Sequence, residues 1–408
     1  MLMAGAAIGV SHLVQSTRAG ADYGFSLWWV LILACVTKYP FLEFGSRYAA
    51  ATGENLLDGY RKMGKGSFPI FALLTVLTMF IILASVTLVT AGLAEQLFGL
   101  GLSMWSWSFV ILSVCVALIL IGRFPAIDKT MKIIVASLTL LTLVAVAMAL
   151  GSGAPTQSLS IQPPSCFTTS GIAFIIAFMG WMPIPLDSSI WQSIWARERF
   201  KQTGHQPTVK QALLDFNLGY FIAVLIGILF FLLGVFIMFG KGEVFPAGSV
   251  AFSSKLVDLY GQTLGNWSRP IISVAAFVAM FSTTLAVTDI YPRVMMELGS
   301  TYNRSKVDHL FQPTTLKRIY WVFLFLIPAL ALVILAYLKV SFTRLIDFAA
   351  ALSFLSAPVI AWFNLKLMTS KLMPEHARPK KWYVAVSWVF IFFLILFSLV
   401  YLYWTYLK

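Results

Sequence analysis

Charged residues are scarce in this chain: Asp, Glu, Lys and Arg make up 11% of its 408 residues, while 59% are hydrophobic. A soluble domain carries about 25% charged residues. The sequence therefore lacks the polar atoms to cover a water-facing surface, which excludes an ordinary soluble enzyme or binding module. Cysteines number three and histidines four. Cys35, Cys115 and Cys166 lack metal-type spacing, and no disulfide framework can be read from them. Cys35 and Cys115 fall in apolar runs, where a free thiol behaves as a small hydrophobe. There is no Gly-rich phosphate loop, no Cys/His cluster and no Ser/His/Asp set that one side of a membrane would assemble. Neither catalysis nor a bound cofactor is expected. Acidic residues are outnumbered by basic ones, 16 to 29. The basic residues sit between apolar runs and form no stripe, which argues for a topological role and against nucleic acid as a partner. The stretch Met1 to Val10 lacks the basic flank and cleavage site of a signal peptide.

What is abundant is apolar sequence in long runs. A bilayer core needs about 20 apolar residues per helix. Runs that meet or approach this lie at about 2–22, 25–46, 68–94, 104–123, 130–151, 170–195, 212–239, 267–291, 319–338, 342–366 and 382–404. These predict an all-α polytopic membrane protein of about 11 transmembrane helices. With the N-terminus in the cytoplasm, the inner loops collect 21 of the 29 basic residues, among them Arg47, Lys65, Arg123, Lys129, Lys132, Arg197, Arg304, Lys306 and Arg378. The outer side receives seven (Arg18, Lys241, Lys255, Arg269, Lys339, Arg344 and Lys408), and Lys38 lies inside a span. That asymmetry predicts a cytoplasmic N-terminus and an outer C-terminus. Between spans, Glu54–Met63 reads as a short amphipathic connector and Gly248–Leu264 as a short surface helix.

Two spans should be broken. The first reads Ala4-Gly5-Ala6-Ala7-Ile8-Gly9-Val10-Ser11-His12, small residues followed by a polar cluster near mid-membrane. The sixth contains Met182-Pro183-Ile184-Pro185-Leu186-Asp187, in which two prolines remove two backbone donors and forbid a continuous helix. Carbonyls freed there need water, a side chain or a ligand, because lipid offers nothing. Broken helices five spans apart are what an inverted repeat produces, and solute sites in such folds lie between the breaks.

The residues after the first break carry a family likeness. Ala19-Gly20-Ala21-Asp22-Tyr23-Gly24-Phe25-Ser26-Leu27-Trp28-Trp29-Val30 resembles the end of the first span and start of the second in the Nramp family of divalent-metal transporters. The likeness continues through Arg47 and Thr52-Gly53. Met182-Pro183 resembles the start of the family's Met-Pro-His motif, Asn217-Leu218 its seventh span, and Phe281-Ser282-Thr283-Thr284 with Val294-Met295 its eighth. The resemblance implies a LeuT-type 5+5 inverted repeat with helices 1 and 6 broken, plus one extra helix. The repeats would be residues 1–151 and 170–366, and the added helix 380–408. It further implies secondary active transport of a divalent metal ion. The metal chemistry departs from the family pattern. Where the family has a first-span Asp-Pro-Gly-Asn motif, this chain has Gly9, Val10, Ser11 and His12. Met182 is kept, but the family's histidine is Ile184, and its carbonyl contributor one turn earlier is Met179. Acidic residues of the family's proton path fall on Leu83 and Val86. A divalent ion leaving water needs negative or strongly polar ligands. His12 and Met182 are the metal-ligating candidates left, and imidazole and thioether suit a softer transition metal.

Ionisable groups at membrane depth cost roughly 2.5–3.5 kcal/mol on insertion scales, so each needs a reason. His12 is expected either to bind substrate or carry a proton, or to hydrogen-bond a neighbouring carbonyl. Asp187 either replaces the missing carboxylate or caps a half-helix N-terminus. Asp289, one turn before Arg293, reads as half of an intrahelical ion pair. Lys38 and Glu43 interrupt the second span, and one of them is expected to pair with Asp187 or Asp289. Arg18 is expected to snorkel outward or, beside Gln15, to meet an anionic substrate. Ser282 and Thr283 invite comparison with sodium sites of the same fold, with Gly9 and Val10 supplying carbonyls, although membrane hydroxyls more often bond their own backbone.

The expected function is transport of a small solute by alternating access. The substrate site is expected around Gly9, Ser11, His12, Gln15, Met179, Met182, Pro183 and Asp187, with Val10, Ser282, Thr283 and Asp289 as coupling-ion candidates. The cargo or coupling ion would be a divalent metal, H⁺ or Na⁺. A proton- or sodium-coupled carrier of an amino acid or carboxylate is the alternative, with the carboxylate held at a half-helix N-terminus. The partners expected are the solute and the lipid bilayer, with the chain as a monomer in a bacterial-type inner or plasma membrane.

Overall fold

A computed structural model describes residues 7–64, 66–122, 124–151, 161–241, 245–303, 313–337 and 341–407. The side chains of 124–135, 301–303, 313–315 and 406 lie outside that description, Lys129 and Lys132 among them. Outside it too are Ala4, Gly5 and Ala6 of the first span and the loop residues Lys65, Arg123, Arg304, Lys306, His309, Lys339 and Lys408.

The regular secondary structure of the described residues is all helical, with no strand among them. A π-helical turn, Ser11–Ser16, leads into α1 (Thr17–Tyr23), a 3₁₀ turn at Gly24–Leu27, α2 (Trp28–Thr52) and α3 (Leu56–Lys62). Then come α4 (Ser67–Phe98), α5 (Met104–Ile121), α6 (Phe124–Gly151), α7 (Thr169–Trp181), α8 (Ser188–Thr203) and α9 (Val209–Ile237). The chain finishes with α10 (Ser249–Leu264), α11 (Ser268–Asn303), α12 (Pro313–Tyr337), α13 (Phe342–Thr369) and α14 (Lys381–Tyr406). Local signals set several boundaries. Thr208 and Gln211 form a reciprocal capping box that opens α9. Ser103 and Ser341 cap α5 and α13.

Eight helical stretches among the described residues are long and apolar enough to cross a membrane, and Ala136–Gly151 and Thr169–Trp181 are shorter apolar helices. This is fewer than the eleven spans read from the sequence, partly because Ser11–Thr52 counts as one stretch of 42 residues. Contacts with α9 show that this stretch doubles back. His12 meets the carbonyl of Ala223, Ser16 that of Gly227, and Gly20 packs on Phe231. Beyond the 3₁₀ turn the contacts descend the same helix. Tyr220 bonds the carbonyl of Cys35, and Tyr39 bonds Asn217. So α1 runs parallel to α9, α2 runs antiparallel to it, and the reversal falls at Gly24, whose φ of +54° glycine adopts readily.

Large apolar side chains such as Leu73, Phe109, Leu214, Phe221, Phe325 and Phe392 are exposed. Such a surface is compatible with lipid and not with water, and the chain is an integral, multi-pass membrane protein. The 249–264 helix is present as expected, but it is wedged rather than superficial. Phe252 and Tyr260 are fully buried, and Tyr260 bonds Thr142 of α6. All three cysteines are free and buried.

Candidate functional site

Both expected breaks are present. The first span bends at Ile8 and Gly9 before its π-helical turn. The sixth leaves helical geometry between the end of α7 at Trp181 and the start of α8 at Ser188, and its Met182–Pro183 peptide is cis.

The breaks face one another. Ser11 Oγ lies 3.2 Å from the carbonyl oxygen of Pro183 and 2.8 Å from His12 Nδ1. His12 Nε2 lies 2.9 Å from the carbonyl oxygen of Ala223. A carbonyl can only accept, so Nε2 carries the proton, and in the neutral ring Nδ1 accepts from Ser11. Both ring nitrogens of this fully buried histidine are thus engaged within the protein. Met182 and His12 pack together over Gly227 of α9, where any side chain would collide with the methionine methyl. Met179, also fully buried, sits in the hydrophobic core.

The other expected site residues divide among separate clusters. Gly9 abuts Thr283. The Thr283 hydroxyl meets the carbonyl of Ile8 at 3.2 Å, one residue before the expected pair. The carbonyl of Gly9 is taken by the backbone of His12 and Leu13. Val10 is buried in the core, and Ser282 is only partly buried. Asp289 bonds Arg293 at 2.7 Å as the four-residue spacing suggested, and Tyr320 at 2.9 Å. Asp187 stands at the N-cap position of α8 but makes no side-chain capping bond.

Gln15 and Arg18 neither snorkel nor stand free. Arg18 grips Asp347 of α13 through both terminal nitrogens, at 2.8 and 3.2 Å, and lies over the Phe174 ring, while Gln15 bonds the same carboxylate. Asp347 escaped the sequence reading because an acid near a span end looks like an ordinary interfacial residue.

Glu43 departs from expectation, whereas Lys38 is coupled electrostatically to Asp187, although its direct partners are others. Glu43 bonds Arg47 and Tyr383. Lys38 is fully buried, and its ammonium donates to the carbonyls of Gly180, Met182 and Ile184 at 2.8, 2.9 and 3.2 Å. The carbonyls freed by the sixth-span break are therefore met by a side chain from the second span.

At the opposite end of α8, Arg197 holds Asp58 of α3 and Glu297 of α11, and Asn55 bonds the same glutamate. Between this cluster and the break, both amide atoms of Gln192 and the hydroxyl of Tyr291 are buried without a protein partner. Groups in that condition need water or a ligand.

Two facing helix breaks inside a multi-pass helical bundle are features of a LeuT-type fold. Solved structures agree. A manganese transporter of Eremococcus coleocola superposes with a TM-score of 0.71 at 15% identity, covering 98% of this chain and 84% of that one. The MhsT protein in complex with L-phenylalanine superposes with a TM-score of 0.64 at 14% identity, covering 97% of each chain. The model of the family described as natural resistance-associated macrophage protein-like, Nramp, matches residues 1–405. A protein of Pasteurella multocida (strain Pm70), described as uncharacterized, is 33% identical over 98% of this chain and 90% of its own length. The chain belongs to the Nramp family.

Proposed function

We propose that this protein is a secondary transporter that moves a small solute through the space between the Ile8–Gly9 and Met182–Asp187 breaks by alternating access. The observation that carries the reading is the direct approach of the two breaks, Ser11 to Pro183, with His12 and Met182 against them. Family membership makes a divalent transition metal the first substrate class, and the Eremococcus coleocola neighbour is a manganese transporter. His12 and Met182 would be the metal-facing side chains, with the carbonyl of Pro183 beside them. Ser11 also offers a route for proton coupling. Its single hydrogen goes to the neutral His12 ring, whereas a protonated ring would donate to Ser11 and release that hydrogen for Pro183. The repeats are taken as residues 1–151 and 170–366 with 380–408 added, the N-terminus inside, the C-terminus outside, and the chain a monomer.

Isothermal titration of purified protein with Mn²⁺ tests the metal reading. His12→Ala and Met182→Ala should each weaken binding by at least about 10-fold, since loss of a group that merely supports a ligand already costs about 10–100-fold. Unchanged affinity in both variants would remove these residues from the site. In proteoliposomes, Pro183→Ala and His12→Ala should lower uptake while leaving the elution profile of the folded protein intact.

A second reading rests on Lys38. A fixed ammonium bonded to the Met182 carbonyl disfavours a dication beside it and favours a solute bearing a carboxylate. Among the described residues, no group of three or more His, Cys, Asp or Glu side chains stands ready to hold a metal. Absence of Mn²⁺ binding by folded protein, with saturable binding of an amino acid, would select this reading.

Alternating access also requires Arg18 and Asp347 to separate. Asp347→Asn should speed the modification of a Gln15→Cys reporter by a membrane-impermeant maleimide added outside. Identical labelling rates with and without Asp347→Asn would show that this pair does not close the outer side.

A further inference from the structure

The Lys38 cluster has the chemistry of an ion site. Carbonyls within an α-helix bond the amide four residues on. At the end of α7 the chain leaves that geometry, and Met182 has φ −85° and ψ 129°. The oxygens of Gly180, Met182 and Ile184, on alternate residues, converge on one point. An ammonium has three donors, and each finds its own carbonyl here. Backbone carbonyls gathered in this way are the groups that replace the hydration shell of a small monovalent cation. The lysine reaches them from a different helix, 142 to 146 residues away in sequence. No solvent touches it.

We propose that the unwound segment Gly180–Ile184 is a monovalent-cation site whose resident ion is the tethered ammonium of Lys38. The protein carries its own cation at this break instead of drawing Na⁺ or K⁺ from solution. The broken geometry of the sixth span then persists whatever salt surrounds the protein. With Lys38 shortened, the same three carbonyls accept a free cation of similar size and charge: Na⁺, K⁺ or a primary ammonium. The inference stands whichever solute is transported.

Melting of the full-length protein in detergent micelles tests it, with choline chloride as the reference salt and NaCl, KCl or ethylammonium chloride titrated in. A cation that binds only the folded state raises its melting midpoint saturably. The wild-type midpoint should not respond to any of the three. Lys38→Ala, which vacates the site, should melt lower in choline and recover saturably with at least one of them. Lys38→Met, which fills the space with neutral atoms, should melt lower and not recover. Saturable stabilisation of wild-type protein by Na⁺ or K⁺ would overturn the proposal. So would equal recovery of Lys38→Met and Lys38→Ala, which marks a general salt effect. Failure of Lys38→Ala to recover, even when extracted from the membrane in these salts, would overturn it too.

Discussion

Replacing Arg197 with methionine is expected to cost about 3–5 kcal/mol, the range for breaking a buried ion pair from one side. The guanidinium holds Asp58 and Glu297 together, and the three side chains are 15%, 8% and 7% exposed. Methionine keeps much of the volume but leaves two carboxylates facing each other with little water. Asn55 and its bond to Glu297 tie α3 into the same cluster, so α3 should loosen together with α8 and α11. The measurement is the fraction of protein surviving graded heating before gel filtration. Arg197→Met should lose most of its folded peak at temperatures the wild type tolerates. Adding Asp58→Asn and Glu297→Gln should restore part of the loss, because the repulsion disappears with the charges. Wild-type melting of Arg197→Met alone would mean the cluster is solvated and contributes little.

The second large effect is expected where α1 crosses α9. Helices in lipid associate through close packing, and small residues let their backbones approach. Here the approach is reciprocal. A side chain at Gly20 would strike the carbonyl of Phe231, and one at Gly234 would strike that of Thr17. Neither obstacle is a side chain that can turn aside. Gly20→Leu or Gly234→Leu should therefore exceed the roughly 1–3 kcal/mol usual for overpacking, and should displace the first span from the helix that His12 and Ser16 touch. Gly248→Leu is the control, since nothing lies within 4 Å of the added carbon. Equal melting of Gly20→Leu and Gly248→Leu would show that α1 and α9 are not interlocked at this crossing.

How much of this was legible depended on the range over which each interaction acts. The breaks were readable because their causes are local: Pro183 and Pro185 remove donors in place, and Gly9 sits in a run of small residues before a polar cluster. The Asp289–Arg293 pair was readable from its four-residue spacing. The turn between the first two passes was readable because the apolar runs at about 2–22 and 25–46 are separate. What stayed hidden was long-range. Lys38 announced itself as an ionisable group in an apolar span, but its partners are backbone carbonyls, and every residue has one. Arg18 finds Asp347 from 329 residues away. The orphaned Gln192 and Tyr291 look in sequence like ordinary polar residues near a span end. Their unmet hydrogen bonds exist only once α8 and α11 are side by side.

The reach of Lys38 also bears on how the protein is made. The second span leaves the ribosome well before the segment that will receive its ammonium, with more than 140 residues between them. A lysine at the centre of a lone helix opposes insertion by about 2.5–3.5 kcal/mol. During that interval the span must either linger near the water-filled insertion machinery or hold its lysine toward an interface. The early half of the chain is thus an unfinished object, completed when the sixth span arrives and supplies the oxygens. Newly made protein arrested between these two points should be a favoured target for membrane proteases, and the finished bundle should not.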